Sequence, residues 1–248
     1  MTRSPTPSPA AADGGPTGPV ARSVLLEARR MTGYRRMSGL SGIAFAVLFG
    51  AALVLLHRAP GLGVPDSEYS AFYRDGGGKV LVTVGLYVVP FAGIAFLWHL
   101  AATRALLGAG PKSHRALPEI PRLLHQVSAV LFVCMLFAGS AAVGAVALLG
   151  VFSANPVPSV DVARALSATG YGLVFVFGVR AAGMYMITTT TLARAVALLP
   201  RWVAVAGYLA ATFLLVSTTF HPAILLVFPV WVVLVSVVVL RRAGSPRG

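Results

Sequence analysis

The stretch VRAAGMYMITTTTLAR, residues 179–194, places an arginine inside a segment apolar enough to be a transmembrane helix. The chain is largely apolar from Asp161 to Arg194, and a helix crosses the hydrocarbon of a bilayer in roughly 20 residues. Arg180 falls near the middle. A guanidinium there costs at least about 2.5–3.5 kcal/mol, and it cannot lose its proton to avoid that cost. The stretch therefore predicts a transmembrane helix with one special position.

The composition extends this prediction to the whole chain. Hydrophobic residues make up 57% of the sequence and charged residues 11%, and the mean hydropathy is +0.82. These values lie outside the range of soluble globular proteins and indicate a helical membrane protein. The formal net charge of +13 comes from cations at the ends of apolar runs, where they meet anionic headgroups. No motif for nucleic-acid binding accompanies them, so we expect no nucleic-acid partner.

Six apolar runs predict an all-α, polytopic bundle of about six transmembrane helices. The predicted spans are 38–56, 80–100, 126–151, a fourth that lies between Asp161 and Arg194 and contains the opening stretch, 202–216 and 223–240. With both termini in the cytoplasm, fifteen of the twenty Lys and Arg residues are inside, four are outside and Arg180 is in the membrane. This bias follows the positive-inside rule. We therefore expect a multi-pass protein of the cell membrane with both termini cytoplasmic.

The segments outside the spans predict the domain organisation. Residues 1–37 begin with a Pro-, Ser- and Gly-rich tail and end in a basic stretch, so we expect a disordered cytoplasmic tail and an interfacial segment. Residues 38–242 form the six-helix transmembrane domain, and residues 243–248 form a short cytoplasmic tail. The small residues Gly42, Ala46 and Gly50 fall four apart and predict a face for close helix packing.

Arg180 allows two interpretations. In the first it lines a polar pocket for an anionic ligand or lipid headgroup, with Tyr185, Thr188, Thr191 and the Pro90-broken second span nearby. In the second it is a latch between helices that bonds to backbone carbonyls. Proline removes a helical hydrogen bond, so the freed carbonyl of residue 86 is a candidate acceptor for Arg180.

Four histidines fall at the ends of predicted spans. His57 and His221 belong near the outer face, and His99 and His125 near the inner face. Two histidines on facing helices at one depth are the ligands that a b-type haem needs. The alternative is that all four histidines lie at the membrane interface, where one edge of each ring contacts water.

Other chemistry finds little support in the sequence. No aspartate or glutamate lies inside a predicted span, which excludes an aspartyl dyad and argues against a carboxylate proton relay. Metalloprotease helix motifs are absent, and the single cysteine, Cys134, allows no intrachain disulfide. We therefore expect no catalytic residues and no resident metal, and we do not expect an enzyme.

The last three predicted spans carry a recognisable pattern. Its elements are the run from Arg180 to Leu192, Leu199-Pro-Arg-Trp202 with Gly207-Tyr208, and Phe228-Pro-x-Trp231 with Ser236. The pattern resembles one in uncharacterised multi-pass membrane proteins of high-GC Gram-positive bacteria. The resemblance implies a six-helix membrane protein and supplies no activity, substrate or catalytic residue.

These observations lead to three hypotheses for function. The first is a membrane-embedded binding or transport component with an Arg180-centred pocket for an anionic ligand or lipid. The second is a structural or accessory membrane subunit, and the third is a b-type haem electron carrier. We expect membrane lipids, including anionic headgroups, as partners, together with a membrane-protein partner or a second copy of the chain.

Overall fold

A computed structural model describes residues 19–108, 119–152, 159–217 and 221–244. Within these ranges the chain forms helices and turns, and no strand. The α-helices are α1 (Pro19–Leu56), α2 (Asp66–Arg74), α3 (Gly78–Thr83), α4 (Val89–Gly108), α5 (Glu119–Phe152), α6 (Val160–Gly172), α7 (Val179–Ala195), α8 (Arg201–Val216) and α9 (Ile224–Gly244). The predicted all-helical fold is confirmed for this part of the chain.

Five of the helical segments are long and apolar enough to cross a membrane: Leu25–Leu56, Val89–Gly108, Glu119–Leu149, Val160–Ala195 and Ile224–Arg242. The sixth predicted span corresponds to α8, an apolar helix of 16 residues. At 1.5 Å per residue, α8 is about 24 Å long, somewhat shorter than the roughly 30 Å hydrocarbon core. Five spans thus meet the length criterion, and a count of six stays a prediction.

Two wide π-helical turns interrupt otherwise continuous helices. The turn Val84–Val88 joins α3 to α4, and Leu173–Gly178 joins α6 to α7. In the first turn the N–H of Val89 bonds to the carbonyl of Val84, five residues back. Pro90 follows at once, and because its ring lacks an N–H and crowds the carbonyl four residues earlier, a widened turn relieves the strain. The proline therefore widens the helix without breaking it.

The first helix is longer than the sequence predicted. It begins at Pro19 and runs to Leu56 without interruption, so the expected boundary at residue 37 lies inside a helix. Proline is well tolerated at a helix start because its missing N–H would be unpaired there anyway. Residues 19 and 20, at the end of the Pro-rich tail, therefore belong to the helix, and the basic segment that follows them continues directly into the first span. Residues 1–18 of that tail, and residues 245–248 of the carboxyl-terminal tail, lie outside the described residues.

The bundle packs around an aromatic core that draws on five helices. Helix α1 lies against α4 and α9, α5 contacts α4, α6 and α7, and α7 packs on α8. Their interior rings form edge-to-face or tilted pairs with centroids 4.8–6.1 Å apart, the favoured geometry for aromatic pairs. The aromatic core consists of Phe45, Phe96, Phe132, Tyr185 and Phe228, all of them buried.

Hydrogen bonds tie α1, α7 and α9 together at one end of the bundle. Helix α7 ends in a Schellman motif in which Leu198 N–H bonds to Ala193 O at 2.7 Å and Ala197 N–H to Arg194 O at 3.0 Å. Ala197 takes a left-handed φ of 56°. Arg242 Nη1 donates to Ala197 O at 2.6 Å, and Arg35 Nη1 donates to Arg242 O at 2.9 Å. We call this the basic end.

At the opposite end, Arg164 on α6 holds the short helix α2. Its guanidinium donates to Asp66 Oδ1 at 2.7 Å and to the Val64 carbonyl, and it lies 5.2 Å from the centroid of the Tyr69 ring. The Tyr69 hydroxyl is 3.0 Å from Ser167 Oγ, also on α6. The segment between the first two predicted spans, which contains Asp66 and Tyr69, is thus folded against the bundle.

Candidate functional site

Arg180 bonds within its own helix. Its Nη1 donates to the carbonyl of Val176 at 2.8 Å, and Val176 belongs to the wide turn that precedes α7. The predicted acceptor, the carbonyl of residue 86, is therefore replaced by one a single turn away. The side chain is half-buried. This hydrogen bond stays within one helical segment, so it does not form the predicted latch between helices.

The other residues of the predicted pocket point in different directions. Thr191 is exposed, and its hydroxyl contacts Ile187 O at 2.8 Å and the Tyr208 hydroxyl at 3.0 Å. Thr188 is buried and donates to carbonyls of its own helix. Tyr185 is fully buried in the aromatic core, and Pro90 is partly buried at the start of α4. The Arg180 guanidinium and the hydroxyls of Tyr185, Thr188 and Thr191 therefore do not line one common pocket.

The structure instead gathers polar side chains into a layer between the aromatic core and the basic end. We call it the polar layer. Its members come from five helices, and all are buried: Ser38, His99, Thr103, His125, Thr189, Thr190, Trp231 and Ser236. The layer adjoins the aromatic core, since the ring centroids of Phe96 and His99 lie 6.2 Å apart and those of Phe228 and Trp231 6.4 Å apart.

His99 is held in a defined tautomer by α1. Its Nδ1 lies 2.8 Å from the carbonyl oxygen of Ser38, and because a carbonyl only accepts, Nδ1 carries the proton. The Ser38 and Thr103 hydroxyls lie 2.9 Å apart beside it. In the neutral ring, Nε2 therefore presents a lone pair.

His125 is held in the same tautomer by α7. Its Nδ1 is 3.0 Å from Thr189 Oγ1, and Thr189 uses its single proton to donate to Tyr185 O at 2.6 Å. The hydroxyl therefore accepts from His125, so Nδ1–H is the donor and Nε2 has the lone pair in the neutral ring. The imidazole also stacks on the Tyr185 ring with centroids 4.9 Å apart. These two contacts, the hydrogen bond and the stacking, thus fix the orientation of the His125 ring.

Several buried polar atoms of the layer have no hydrogen-bond partner within the described part of the chain. They include His99 Nε2, His125 Nε2, Thr190 Oγ1, Trp231 Nε1 and Ser236 Oγ. An unsatisfied buried polar group costs about 1–3 kcal/mol, and native proteins contain few of them. Acceptors and donors are both present, yet the fold does not pair them. This pattern indicates a layer that binds water or a ligand.

A cavity of about 420 Å³ opens beside the polar layer at the basic end. We call it the basic cavity. It lies between the end of α4 and the beginning of α5, and it is lined by Arg104, Leu107, Gly108, Glu119, Arg122, Leu123, His125, Gln126 and Leu192. Arg104 and Arg122 are exposed, whereas the His125 side chain is only 2% exposed. His125 therefore belongs to both the cavity and the polar layer.

Arg104 is positioned by a side chain across the cavity. When the Gln126 amide is oriented so that its oxygen faces the guanidinium, this oxygen accepts from Arg104 Nε at 2.6 Å and from Nη1 at 3.1 Å. A guanidinium has five N–H donors in a planar fork, so two bonds to Gln126 fix its plane and leave other donors for a ligand. Arg122 adds a second cation, and Glu119 adds one carboxylate. The formal charge of these lining groups is therefore positive.

A second cavity, at the opposite end, has a different chemistry. It has a volume of about 820 Å³ and is lined mainly by apolar side chains of α1, α6 and α9, with His57 and Tyr171 as its main polar members. His57 and His221 are both exposed, as expected for histidines at an interface. A cavity without a charged group offers little to an anion. The basic cavity is therefore the better candidate site.

Among the described residues, no group of three or more His, Cys, Asp or Glu side chains could hold a metal ion. His99 and His125 remain the residues that could ligate a metal or haem iron, because each presents Nε2 and binds a protein acceptor through Nδ1. Comparison of the chain with known protein families, with curated proteins and with solved structures gave no match. Function must therefore be inferred from the site itself.

Proposed function

We propose that the protein is a multi-pass component of the cell membrane that binds or transports an anion, and that the anion binds in the basic cavity. The observation that carries the proposal is the pair Arg104 and Arg122 in one cavity of about 420 Å³ with Gln126 and His125. Guanidinium groups recognise carboxylate, phosphate and sulfate oxygens with short, charge-assisted hydrogen bonds. The proposal keeps the ligand class predicted for Arg180 and assigns the anion to a different site.

The location of the cavity also supports a role at the membrane surface. Of the twenty Lys and Arg residues in the chain, fifteen lie in segments that the positive-inside rule places in the cytoplasm. Arg104 and Arg122 are among them. On this proposal both termini and the mouth of the basic cavity face the cytoplasm. The anion then comes either from solution or from the headgroup of an anionic lipid, which has the same chemistry.

Thermal unfolding of the purified protein tests the proposal. A ligand that binds only the folded state raises its stability by mass action, by about 2.7 kcal/mol at a hundredfold excess over Kd. We expect stabilisation by sulfate, phosphate or a carboxylate at constant ionic strength, or by phosphatidylglycerol relative to phosphatidylcholine in nanodiscs. A response to the soluble anions identifies a solute site, and a response to the lipid alone identifies a headgroup site.

Variants assign the response to the cavity. Arg104→Gln and Arg122→Gln should each remove most of the stabilisation, because each deletes a cation but keeps hydrogen-bonding capacity. Arg201→Gln is the matched control, since Arg201 is an exposed arginine at the start of α8 and does not line the cavity. Equal losses in all three variants would show a general charge effect and would contradict the proposal.

A haem or metal carrier is the second candidate. The observation that favours it is the unpartnered Nε2 of His99 and of His125 on two neighbouring helices. Protein expressed with excess haem should then show a Soret band that is lost in His99→Ala and in His125→Ala. A colourless protein after haem-replete expression, with no bound transition metal by elemental analysis, would eliminate this candidate.

A further inference from the structure

We propose that the second cavity, at the end of the bundle opposite the basic end, binds an acyl chain of a membrane lipid. We call it the apolar cavity, and its volume is about 820 Å³. It shares no lining residue with the basic cavity among the described parts of the chain. Binding of the chain therefore does not depend on the anion site, and it requires only that the bundle spans a membrane.

The apolar cavity lies where two groups of helices separate. Helix α6 packs mainly against α5 and α2, whereas α1 packs against α4 and α9. The space between the two groups is lined by Leu53 and Leu56 of α1, Ala168 and Gly172 of α6 and Leu225 of α9. Protein interiors contain few voids larger than a water molecule, so a space of this size should be occupied. Its volume is within the range of ligand sites, about 300–1,000 Å³.

The lining of the apolar cavity favours hydrocarbon over water. Among the described residues that line it, His57 and Tyr171 have the only polar side chains, and His57 is exposed. A buried water needs two to four polar partners, and apolar cavities stay dry. A hydrocarbon chain needs no such partner, because it gains dispersion contacts with the leucine and aromatic side chains. The occupant is therefore expected to be apolar along most of its length.

The surface around the apolar cavity indicates where this occupant comes from. Val54 on α1, Phe177 in the wide turn after α6 and Leu226 on α9 are all exposed apolar residues. Each of them directly follows a lining residue in the sequence. In a bilayer these side chains contact lipid chains, which are as apolar as leucine. The lining of the cavity thus continues into the lipid-facing surface, and the neighbouring lipid supplies the chain.

Both wide turns contribute to this region of the bundle. Phe175 and Val176, in the turn between α6 and α7, line the apolar cavity. A smaller space of about 60 Å³ shares part of the same wall, and Val84 and Gly85 of the turn between α3 and α4 line it. π-helical turns occur frequently at functional sites. Here they border the cavity and the adjoining space, which has room for the end of the chain.

Photochemical labelling of the detergent-purified protein tests the proposal. The probe is a phosphatidylcholine with a diazirine near the end of one acyl chain, added at a low ratio to protein in excess detergent. Detergent dilutes lipid on the outer surface, whereas a chain inside the cavity is retained. We expect strong labelling of Tyr171 on α6 and of Leu225 on α9, and weak labelling of the exposed Val54. Native mass spectrometry should show a retained phospholipid that unlabelled phosphatidylcholine displaces.

Glycine substitutions assign the lipid to the apolar cavity. A Cβ at Gly172 would meet no atom within 4 Å, so a larger side chain can enter the cavity without displacing its wall. Gly172→Leu should lower the labelling of Tyr171 and Leu225 by at least about threefold, because leucine occupies space that the chain needs. Gly50→Leu is the matched control, since its Cβ would also meet nothing and Gly50 does not line the cavity. Ala168→Leu, at an exposed lining position, gives the same test if Gly172→Leu does not fold.

The outcomes separate this proposal from the anion site. Labelling of Tyr171 and Leu225 no stronger than that of Val54 would overturn the lipid site, as would unchanged labelling in a folded Gly172→Leu or Ala168→Leu. Retention of an apolar molecule of another class, without phospholipid, would show that the occupant is wrong. Stabilisation by anions should be the same in Gly172→Leu as in the wild type, because the basic cavity lies at the other end. Failure of either site therefore leaves the other standing.

Discussion

Gly42 allows α1 to approach the polar layer closely, so a side chain at this position should disturb the packing of the layer. A Cβ at Gly42 would lie 2.2 Å from Ser236 Oγ on α9 and 2.7 Å from His99 Nδ1 on α4. Both distances are too short for real contacts, so Gly42→Ala must push α1 away from two helices or rotate both side chains. Overpacking of this kind costs about 1–3 kcal/mol. Losing the His99–Ser38 bond adds about 1 kcal/mol, and the better helix propensity of alanine returns about 1 kcal/mol.

The net prediction for Gly42→Ala is a loss of about 1–3 kcal/mol in the free energy of unfolding. Gly50→Ala is the matched control, because it lies two turns along the same helix and its added Cβ would meet nothing within 4 Å. It should be neutral or stabilising by up to about 1 kcal/mol. Reversible unfolding in mixed detergent micelles measures both. Adding Ser236→Ala to Gly42→Ala should restore part of the loss. Equal stability of the two glycine variants would refute the packing described for the polar layer.

Two further predictions concern single residues whose local geometry is unusual. Arg180→Gln should change the free energy of unfolding by no more than about 1 kcal/mol, because the Arg180 guanidinium bonds to a carbonyl of its own helix. A larger loss of stability would support the interpretation of Arg180 as a latch between helices. Ala197→Gly should stabilise the protein by about 0.5–1 kcal/mol. A residue with a Cβ in the left-handed region costs about 1–2 kcal/mol, and glycine relieves this strain. Part of the gain is lost because glycine makes the unfolded chain more flexible. Thermal unfolding would detect this gain, and a destabilised Ala197→Gly would contradict the Schellman geometry.

Hydrophobic patterning was sufficient to predict the helical bundle and the position of most helices. The predicted span 202–216 matches α8 (Arg201–Val216) within one residue, and 223–240 matches the beginning of α9. The continuity of α1 was missed, because the residues before Ser38 are largely polar and basic and were assigned to a separate interfacial segment. The two wide turns were missed as well, since their hydrogen bonds change while the apolar pattern continues.

The candidate site was less predictable, because it depends on the direction of each side chain and on contacts between residues that are far apart in the sequence. Arg180 stands out in the sequence, yet its hydrogen bond goes to the preceding turn, which no pattern of residue types reveals. From the sequence, Arg104 and Arg122 were counted only among the cations expected on the cytoplasmic side, although the fold brings them to one cavity. His99 and His125 were paired at one depth by the sequence. Their tautomers and unpartnered Nε2 atoms depend on Ser38 and Thr189 on other helices.

Equilibrium binding of a single anion to three proteins tests the anion site most directly. The anion that stabilises the wild type most is titrated at constant ionic strength against wild type, Arg104→Gln/Arg122→Gln and Arg180→Gln. We predict that the double variant loses at least about tenfold in affinity, equivalent to about 1.4 kcal/mol, while Arg180→Gln binds as the wild type does. Loss of binding in Arg180→Gln with an unchanged double variant would contradict the account and return the site to the pocket that the sequence first suggested.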